Sequence, residues 1–236
     1  MSLGHGATIP QDNISMLVDV TNTKSYSGSG SSWIDLVGNR TFSSGGTQTP
    51  FETKAGVKSF AFNGSGYWYS DTNTSGVDMG GDCTLLMWIY SEGITERDTL
   101  FEKAGTSYAS YQQEIAVTWE TNNGLSYYSR ASGNYDYGGT TSFTLNGWSL
   151  MGIRMSTGKT TSARAGYYSK NGGIWNSWYT SRSNTAVLAA GQIRIGTGYA
   201  GAVEAGNVGL VATYNKQLSN AEVNQFFNAT RERFGV

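Results

Sequence analysis

The stretch from Thr84 to Tyr90 carries no charge, and both of its alternating sets of side chains are apolar. Successive side chains of a β-strand point to opposite faces. A strand with two apolar faces belongs where both faces are covered. We therefore predict a central β-strand at residues 84–90, inside a packed pair of sheets.

The segments around this strand are shorter and more polar, with turn residues between them. Residues 14–20 predict a first strand, and Asn171-Gly172 predicts a β-hairpin because both residues tolerate positive φ. Ser219 and Glu222 form a capping box. The apolar positions that follow at helical spacing are Val223, Phe226, Phe227 and Thr230. The pattern predicts an all-β fold with one short C-terminal helix.

Composition supports the same fold class. The 236 residues include 32 glycines, 2 prolines and 13% aromatic residues, which is typical of strands joined by turns. Residues 1–13 lack periodicity, so we predict an N-terminal arm that either docks on the body or reaches a neighbouring subunit. Residues 14–236 are predicted to form a single domain.

Charge and chain start narrow the classes of partner. Charged residues make up 14% of the chain and the formal net charge is −1, so nucleic acid is not expected as a partner. No apolar run approaches the roughly 18 residues of a membrane helix, so no membrane insertion is expected. The first residues lack a basic and then apolar signal region, which predicts folding in a cytoplasm without a signal peptide. The single cysteine, Cys83, excludes an intrachain disulfide and is expected as a small buried hydrophobe.

A Ser/Gly-rich segment near the N-terminus is bracketed by aromatic residues that would anchor it as an ordered loop. Its distinctive positions are Asp19, Asn22, Ser25, Tyr26, Gly28, Ser29, Gly30, Trp33, Asp35, Leu36, Gly38 and Asn39. They resemble the opening of the concanavalin A-like, laminin-G-type jelly-roll domains of tailed-bacteriophage virion proteins, of marine phage or cyanophage type. The similarity extends to residues 59–64, 84–90, 147–154, 166–172, 191–196, 214–223 and 227–236, which together span essentially the whole chain.

The resemblance implies a concanavalin A-like lectin/glucanase jelly-roll sandwich located in a virion and made in the host bacterial cytoplasm. It implies a surface appendage, fibre or adhesin module that binds host surface carbohydrate, with other virion proteins as partners and a homo-oligomeric state. The alternative is a purely structural capsid decoration or tail subunit that makes protein contacts without binding glycan. The two hypotheses differ in whether the aromatic patches face solvent or a subunit contact.

Known hydrolytic patterns do not occur in the sequence. The Glu-x-Asp-x-x-Glu pattern of jelly-roll β-glucanases is missing, and Glu114 and Glu120 would lie about 20 Å apart on a strand. Glycosidases need about 5 to 9.5 Å between their two carboxyl groups. The only histidine, His5, lies on the arm, and Cys83 abuts the apolar strand, where a thiolate is disfavoured. These observations predict a protein that is not an enzyme.

Residues 71–82 place oxygen-bearing side chains at loop positions 1, 3, 5 and 12, with glycine at position 6. This is the layout of a calcium loop, and its ligands would be Asp71, Asn73, Ser75 and Asp82. The loop ends on aspartate where an EF-hand has a bidentate glutamate, and strands rather than helices flank it. The same residue types also form ordinary turns without metal. Calcium binding and a metal-free turn are the two alternatives.

Two segments combine aromatic rings with hydrogen-bonding side chains between turn signals. Sugars stack their C–H faces on such rings, and amides and carboxylates bond their hydroxyl groups, so we predict carbohydrate binding there. The candidate residues are Asn134, Tyr135, Asp136, Tyr137, Trp175, Asn176, Trp178 and Tyr179. The alternative is that many of the aromatic rings belong to the core, because every second residue of a sandwich strand points inward. Strand alternation also places Tyr67 and Tyr69 on one face and Trp68 on the other.

Overall fold

The computed structural model describes residues 8–47, 49–71, 74–93, 97–105, 113–121, 124–131, 134–138, 146–155, 163–169, 172–178, 191–198 and 201–236. Side chains are described at these positions except 113–114, 129–131, 134–138, 163–169 and 172–178. Within this part of the chain, eighteen strands and one α-helix form a β-sandwich. The predicted all-β fold with a short C-terminal helix is therefore confirmed.

The first sheet, sheet A, is built around the predicted central strand. In chain order its strands are β1 (Ile14–Asp19), β4 (Phe51–Lys54), β5 (Val57–Phe62), β7 (Cys83–Ser91), β12 (Gly147–Met155), β13 (Ala163–Ser169), β14 (Gly172–Trp178) and β18 (Gly206–Tyr214). Their spatial order is β14-β13-β12-β7-β18-β5-β4, and β1 also pairs with β18. A hairpin joins β13 and β14 close to the predicted place, but Ser169 pairs with Gly172. Gly172 is therefore the first residue of β14, whereas the sequence had predicted it as a central residue of the turn.

The second sheet, sheet B, lies across the core from the first. Its strands are β2 (Ser32–Ile34), β3 (Thr41–Gly46), β6 (Gly66–Ser70), β8 (Asp98–Ala104), β9 (Gln113–Trp119), β10 (Leu125–Ala131), β11 (Asn134–Gly138) and β15 (Gln192–Ile195). Their spatial order is β11-β10-β9-β8-β15-β6-β3-β2. A short hairpin, β16 (Thr197–Gly198) and β17 (Gly201–Ala202), follows β15 and packs on β8.

Strand β7 is central to sheet A, between β12 and β18. Leu85, Met87 and Ile89 point into the core between the sheets. Leu86 and Trp88 point the other way and pack in a second cluster that includes the C-terminal helix. Both faces are covered as predicted, but a helix rather than a sheet covers the second one.

The helix α1 (Asn220–Thr230) begins at the predicted capping box. The Ser219 hydroxyl accepts the N–H of Glu222 at 3.2 Å, and the Glu222 carboxylate accepts the N–H of Ser219 at 2.7 Å. The buried side chains of α1 are the four predicted ones, Val223, Phe226, Phe227 and Thr230. Thr230 accepts the indole N–H of Trp88 at 2.8 Å, which ties the helix end to the central strand.

A 3-10 helical turn, Arg231–Phe234, follows α1 directly. The ring of Phe234 stacks on Trp88 with centroids 4.4 Å apart and planes only 6° from parallel. Among the helices of the described residues, none is long and apolar enough to cross a membrane.

The Ser/Gly-rich segment near the N-terminus is an ordered loop, as predicted. Tyr26 and Trp33 are buried at its two ends, and their rings pack on Phe60 at centroid distances of 4.7 and 5.1 Å. Asp35 is also fully buried, and it accepts the N–H of Leu17 at 2.9 Å. These contacts fasten the segment to sheet A, and its strand β2 belongs to sheet B.

Residues 8–13 of the predicted arm contact the end of β18, the segment that follows it, and α1. The Pro10 carbonyl accepts the hydroxyl of Tyr214 at 3.1 Å, and the Thr8 carbonyl accepts the amide of Gln225 at 2.7 Å. Asp12 forms an ion pair with Lys216 at 2.6 Å. The described part of the arm thus docks on the body, while residues 1–7 lie outside the described residues.

Candidate functional site

Strand β6 carries two tyrosines on the outer face of sheet B. Trp68 points inward and is fully buried in the core, whereas Tyr67 and Tyr69 on either side of it are half-buried. This alternation follows from the two-residue period of a strand. The predicted division of these three aromatic residues between two faces is confirmed.

The neighbouring strand β15 repeats the alternation with polar side chains. Ile193 and Ile195 are buried in the core, so Gln192 and Arg194 share the outer face. The register places Arg194 directly opposite Tyr69. Two sequence-distant strands therefore bring tyrosine rings, an amide and a guanidinium to one place.

These side chains line a shallow pocket of about 240 Å³, which we call the cleft. Its lining residues are Tyr67, Tyr69, Gln192, Arg194 and Thr197. The two tyrosine rings have centroids 5.9 Å apart and planes inclined at 47°. A ligand in the cleft would meet aromatic surface on one side and hydrogen-bonding groups on the other.

The groups that hold the guanidinium of Arg194 from behind include two described side chains. Its Nη1 forms an ion pair with Glu102 Oε2 at 3.0 Å, and its Nε donates to Gln192 Oε1 at 3.0 Å. The Gln192 amide in turn donates to the carbonyl of Ser70 at 3.1 Å. Because these partners fix its orientation, Arg194 enters the cleft with little conformational freedom to lose on binding.

Glu102 itself is fully buried and does not line the cleft. The β16–β17 hairpin covers it, and a Cβ added at Gly198 would lie 3.0 Å from Glu102 Oε2. A glycine is therefore required for this close approach. The hairpin separates the carboxylate from ligand while leaving it in contact with Arg194.

Tyr67 depends on a glycine in the adjacent strand. Gly45 pairs with Tyr67 across β3 and β6, and a Cβ added at Gly45 would lie 2.5 Å from the tyrosine ring. The ring thus lies across the position where a side chain of β3 would stand. Gly45 sets the position of Tyr67 in the cleft.

The described residues of the two predicted carbohydrate-binding segments lie on strands. Asn134, Tyr135, Asp136 and Tyr137 belong to β11, the edge strand of sheet B. Trp175, Asn176 and Trp178 belong to β14, the edge strand of sheet A. The strands next to these edges, β10 and β13, contact each other, so both segments lie at the same side of the sandwich. Tyr179 and all the side chains of these segments lie outside the described residues.

The backbone of β11 lies apart from the cleft. The strand β11 is five strand positions from β6 in sheet B, which corresponds to about 24 Å at the usual strand spacing. Tyr137 is paired through the backbone with Tyr128, which belongs to the same sheet as the cleft. Carbohydrate binding at β11 and β14 stays a prediction.

Three of the four candidate ligands of the predicted calcium loop lie within the described residues. Asp71, Ser75 and Asp82 are exposed, whereas Asn73 lies outside the described residues. Within the loop it is Asp78 that acts as a turn residue, since its carboxylate accepts the N–H groups of Gly80 and Gly81 at 2.9 Å each. In the part of the chain that the structure describes, no three acidic, histidine or cysteine side chains are grouped as a metal site would require. Calcium binding stays a prediction.

Sequence reasoning did not select the cleft residues. Tyr67 and Tyr69 were placed on one face of a strand but not chosen as binding residues. Gln192 and Arg194 were noted only within segment 191–196, as part of the family resemblance. The usable signal was the alternation of Ile193 and Ile195 with polar residues in a strand close to a tyrosine-rich one. Pairing between β6 and β15 is not encoded locally.

The fold and cleft together define a β-sandwich with a polar and aromatic groove on one sheet. No protein-family model matches the sequence, and no curated protein matches it either. Among solved structures, domain 4 of AbnA, a GH43 extracellular arabinanase from Geobacillus stearothermophilus in complex with arabinotriose, is similar with a TM-score of 0.63. The identity is 11%, over 93% of this chain and 100% of that domain.

Two further similar structures are parts of larger proteins. Trypanosoma rangeli sialidase has a TM-score of 0.61 at 13% identity, and the match covers 98% of this chain but only 35% of the sialidase. The binding domain of botulinum neurotoxin serotype D/C has a TM-score of 0.61 at 11% identity, over 92% of this chain and 52% of that one. These likenesses agree with the predicted lectin-like sandwich. None of the three is a virion protein, so the virion assignment stays a prediction.

The prediction that the chain is not an enzyme is contradicted by the sialidase structures. It was based on the absence of a few known catalytic patterns, and such patterns cannot exclude chemistry by residues that come together from separate strands. The cleft is an example of residues assembled in that way. At 13% identity the similarity shows the fold and does not assign a reaction.

Proposed function

We propose that this chain is a glycan-binding β-sandwich and that the cleft is its binding site. The observation that carries the proposal is the pair of half-buried rings, Tyr67 and Tyr69, beside Gln192 and Arg194 in one pocket. Sugar rings stack on aromatic faces, and their hydroxyl groups pair with amide and guanidinium groups. The arabinanase domain that was solved with arabinotriose supports the proposal at the level of the fold.

The biological setting is a separate part of the proposal. The sequence resemblance to phage virion proteins supports a surface appendage, fibre or adhesin module that binds host surface carbohydrate, assembled with other virion proteins and as a homo-oligomer. In the alternative, the chain is a capsid decoration or tail subunit whose aromatic surface contacts protein. An adhesin would show saturable glycan binding, which the alternative does not require.

The test is binding of the purified protein to an array of bacterial surface polysaccharides and defined oligosaccharides, in Ca²⁺ and in chelator. The informative variants are Tyr67→Ala and Tyr69→Ala, each expected to weaken binding by about tenfold or more, the loss expected for an aromatic residue at the centre of a binding site. Gly45→Ala keeps both rings but displaces Tyr67, so it should weaken binding as well. Chromatography of the same incubations shows whether any saccharide is also cleaved.

The double variant Tyr135→Ala/Tyr137→Ala separates the two candidate surfaces. If glycan is bound in the cleft, this variant keeps wild-type affinity while Tyr67→Ala loses it. The opposite pattern would place the site on β11 instead. Absence of any saturable binding to polysaccharide would reject the proposal and favour the protein-contact alternative, and loss of binding in chelator would assign a role to calcium.

A further inference from the structure

The cleft contains a positively charged side chain, that of Arg194, which is already paired with a carboxylate. Among the described residues that line the cleft, Arg194 is the only one with a charged side chain. Its guanidinium is paired at 3.0 Å with the carboxylate of Glu102, which has no exposed surface. In the part of the chain that the structure describes, the positive charge of Arg194 is therefore offset by the negative charge of Glu102 within one ion pair behind the pocket.

We propose that the buried Glu102 makes the cleft selective for neutral saccharides over acidic ones. This inference rests on the glycan-binding function proposed above. An acidic sugar placed against Arg194 would be attracted by the guanidinium and repelled by the carboxylate directly behind it. The attraction is largely cancelled, while the ligand still loses the water around its own charge.

A neutral sugar does not incur this cost. Its hydroxyl groups both accept and donate hydrogen bonds. The lining side chains of Gln192, Thr197 and the two tyrosines provide donors and acceptors for them. Arg194 then serves as an oriented hydrogen-bond donor rather than as a site for an anion. Glu102 acts through Arg194 and is a positioning and specificity-determining residue, since it does not line the cleft.

The experiment uses pairs of oligosaccharides that differ only in oxidation of the primary alcohol to a carboxylate, such as glucose with glucuronic acid and galactose with galacturonic acid polymers. Wild-type protein should bind the neutral member about tenfold more tightly or better. Glu102→Gln removes the compensating charge while preserving shape, so it should reduce or reverse this preference. Glu120→Gln is the matched control, because it removes a carboxylate from another arginine pair, that with Arg97 at 2.8 Å, and neither of these two residues lines the cleft.

A second measurement uses only the wild-type protein, so it tests the inference even if the Glu102→Gln protein does not fold. If the cleft is electrically neutral, wild-type affinity for the acidic member should change little between low and high salt, whereas an uncompensated Arg194 would bind it more tightly at low salt. Equal or tighter binding of acidic members by the wild type, or strong salt dependence, overturns the inference while leaving the glycan-binding function intact. Failure to bind either member of any pair rejects the glycan-binding function itself, and the inference with it.

Discussion

Replacing Asp35 by asparagine should strongly destabilise the protein although the two side chains have nearly the same shape. Asp35 is fully buried, and each of its oxygens accepts two hydrogen bonds. Oδ1 accepts the N–H groups of Leu17 at 2.9 Å and Val37 at 3.0 Å. Oδ2 accepts the N–H of Gly38 at 3.1 Å and Nη1 of Arg40 at 2.6 Å. An asparagine keeps one of these acceptors and puts an NH₂ group in place of the other.

The magnitude follows from what the NH₂ group faces. A buried donor without an acceptor costs about 1 to 3 kcal/mol, and breaking a buried ion pair costs about 3 to 5 kcal/mol. The Arg40 side chain is 12% exposed, so water partly solvates the guanidinium that has lost its carboxylate partner. The two costs therefore do not simply add. We expect Asp35→Asn to lower the free energy of unfolding by about 3 to 5 kcal/mol, out of a total of about 5 to 15 kcal/mol.

Urea denaturation followed by tryptophan fluorescence measures this loss, because Trp33 is buried two residues away. The melting temperature should fall by about 6 to 20 °C. Asp12→Asn is the matched control, since Asp12 has a side chain that is 74% exposed in its pair with Lys216, and an exposed pair contributes under about 1 kcal/mol. If the two variants unfold at the same urea concentration with the same slope, the argument from the four hydrogen bonds is refuted.

Further outcomes follow from the C-terminal helix. Phe226→Ala removes a fully buried ring that packs edge-on against Tyr214, and it should lower the free energy of unfolding by about 3 to 5 kcal/mol in thermal unfolding. The control is Asn224→Ala at an exposed position, which should change this free energy by no more than about 0.5 kcal/mol. Equal effects of the two substitutions would show that α1 does not contribute to the core. The hydrogen bond from Lys216, together with that from the backbone of Ser219, lowers the pKa of Glu222 from 4.5 to about 2. Since the folded pKa is below the unfolded one, Glu222 contributes stability above about pH 4.5 that is lost as the pH falls towards 2, so the stability difference between wild type and Glu222→Gln should shrink over that interval in acid titrations. A difference that stays constant from pH 6 to pH 2 would contradict the assigned pKa.

Much of the fold was predictable because its signals are local. The capping box of Ser219 and Glu222 and the spacing of apolar residues after it fix the start and buried face of α1 without reference to the rest of the chain. The two apolar faces of β7 likewise indicate a covered strand. What covers the second face was not predictable, because the contact of Trp88 with Phe234 joins the middle of the chain to its end.

The candidate site was harder to predict for a related reason. Tyr69 and Arg194 face each other only because β6 and β15 pair, and nothing near either residue encodes that partner. Aromatic density in the sequence favours Tyr135 and Tyr137 as strongly as Tyr67 and Tyr69. Sheet order separates the two pairs, since the first lies on an edge strand and the second beside a polar strand inside the sheet.

The two outer faces of the sandwich differ in what packs on them. This difference favours the outer face of sheet B as the place where the proposed ligand would bind. On sheet A, α1 and the turn after it bury the outer side of Trp88, and Phe234 stacks directly on its ring. On sheet B, among the described residues, the β16–β17 hairpin covers Glu102, while Tyr67 and Tyr69 stay half-buried beside it.

A fold similar to parts of a sialidase, an arabinanase and a neurotoxin does not determine what a protein binds. The side chains on its accessible face do. Substitutions of the buried residues of α1 should therefore lower the stability of the protein. The fraction that still folds should bind glycan as the wild type does. Substitutions of the two cleft tyrosines should change binding with stability nearly retained. Measuring both quantities on both sets of variants tests this division, and a cleft variant that unfolds as readily as Phe226→Ala would move the tyrosines from the site to the core.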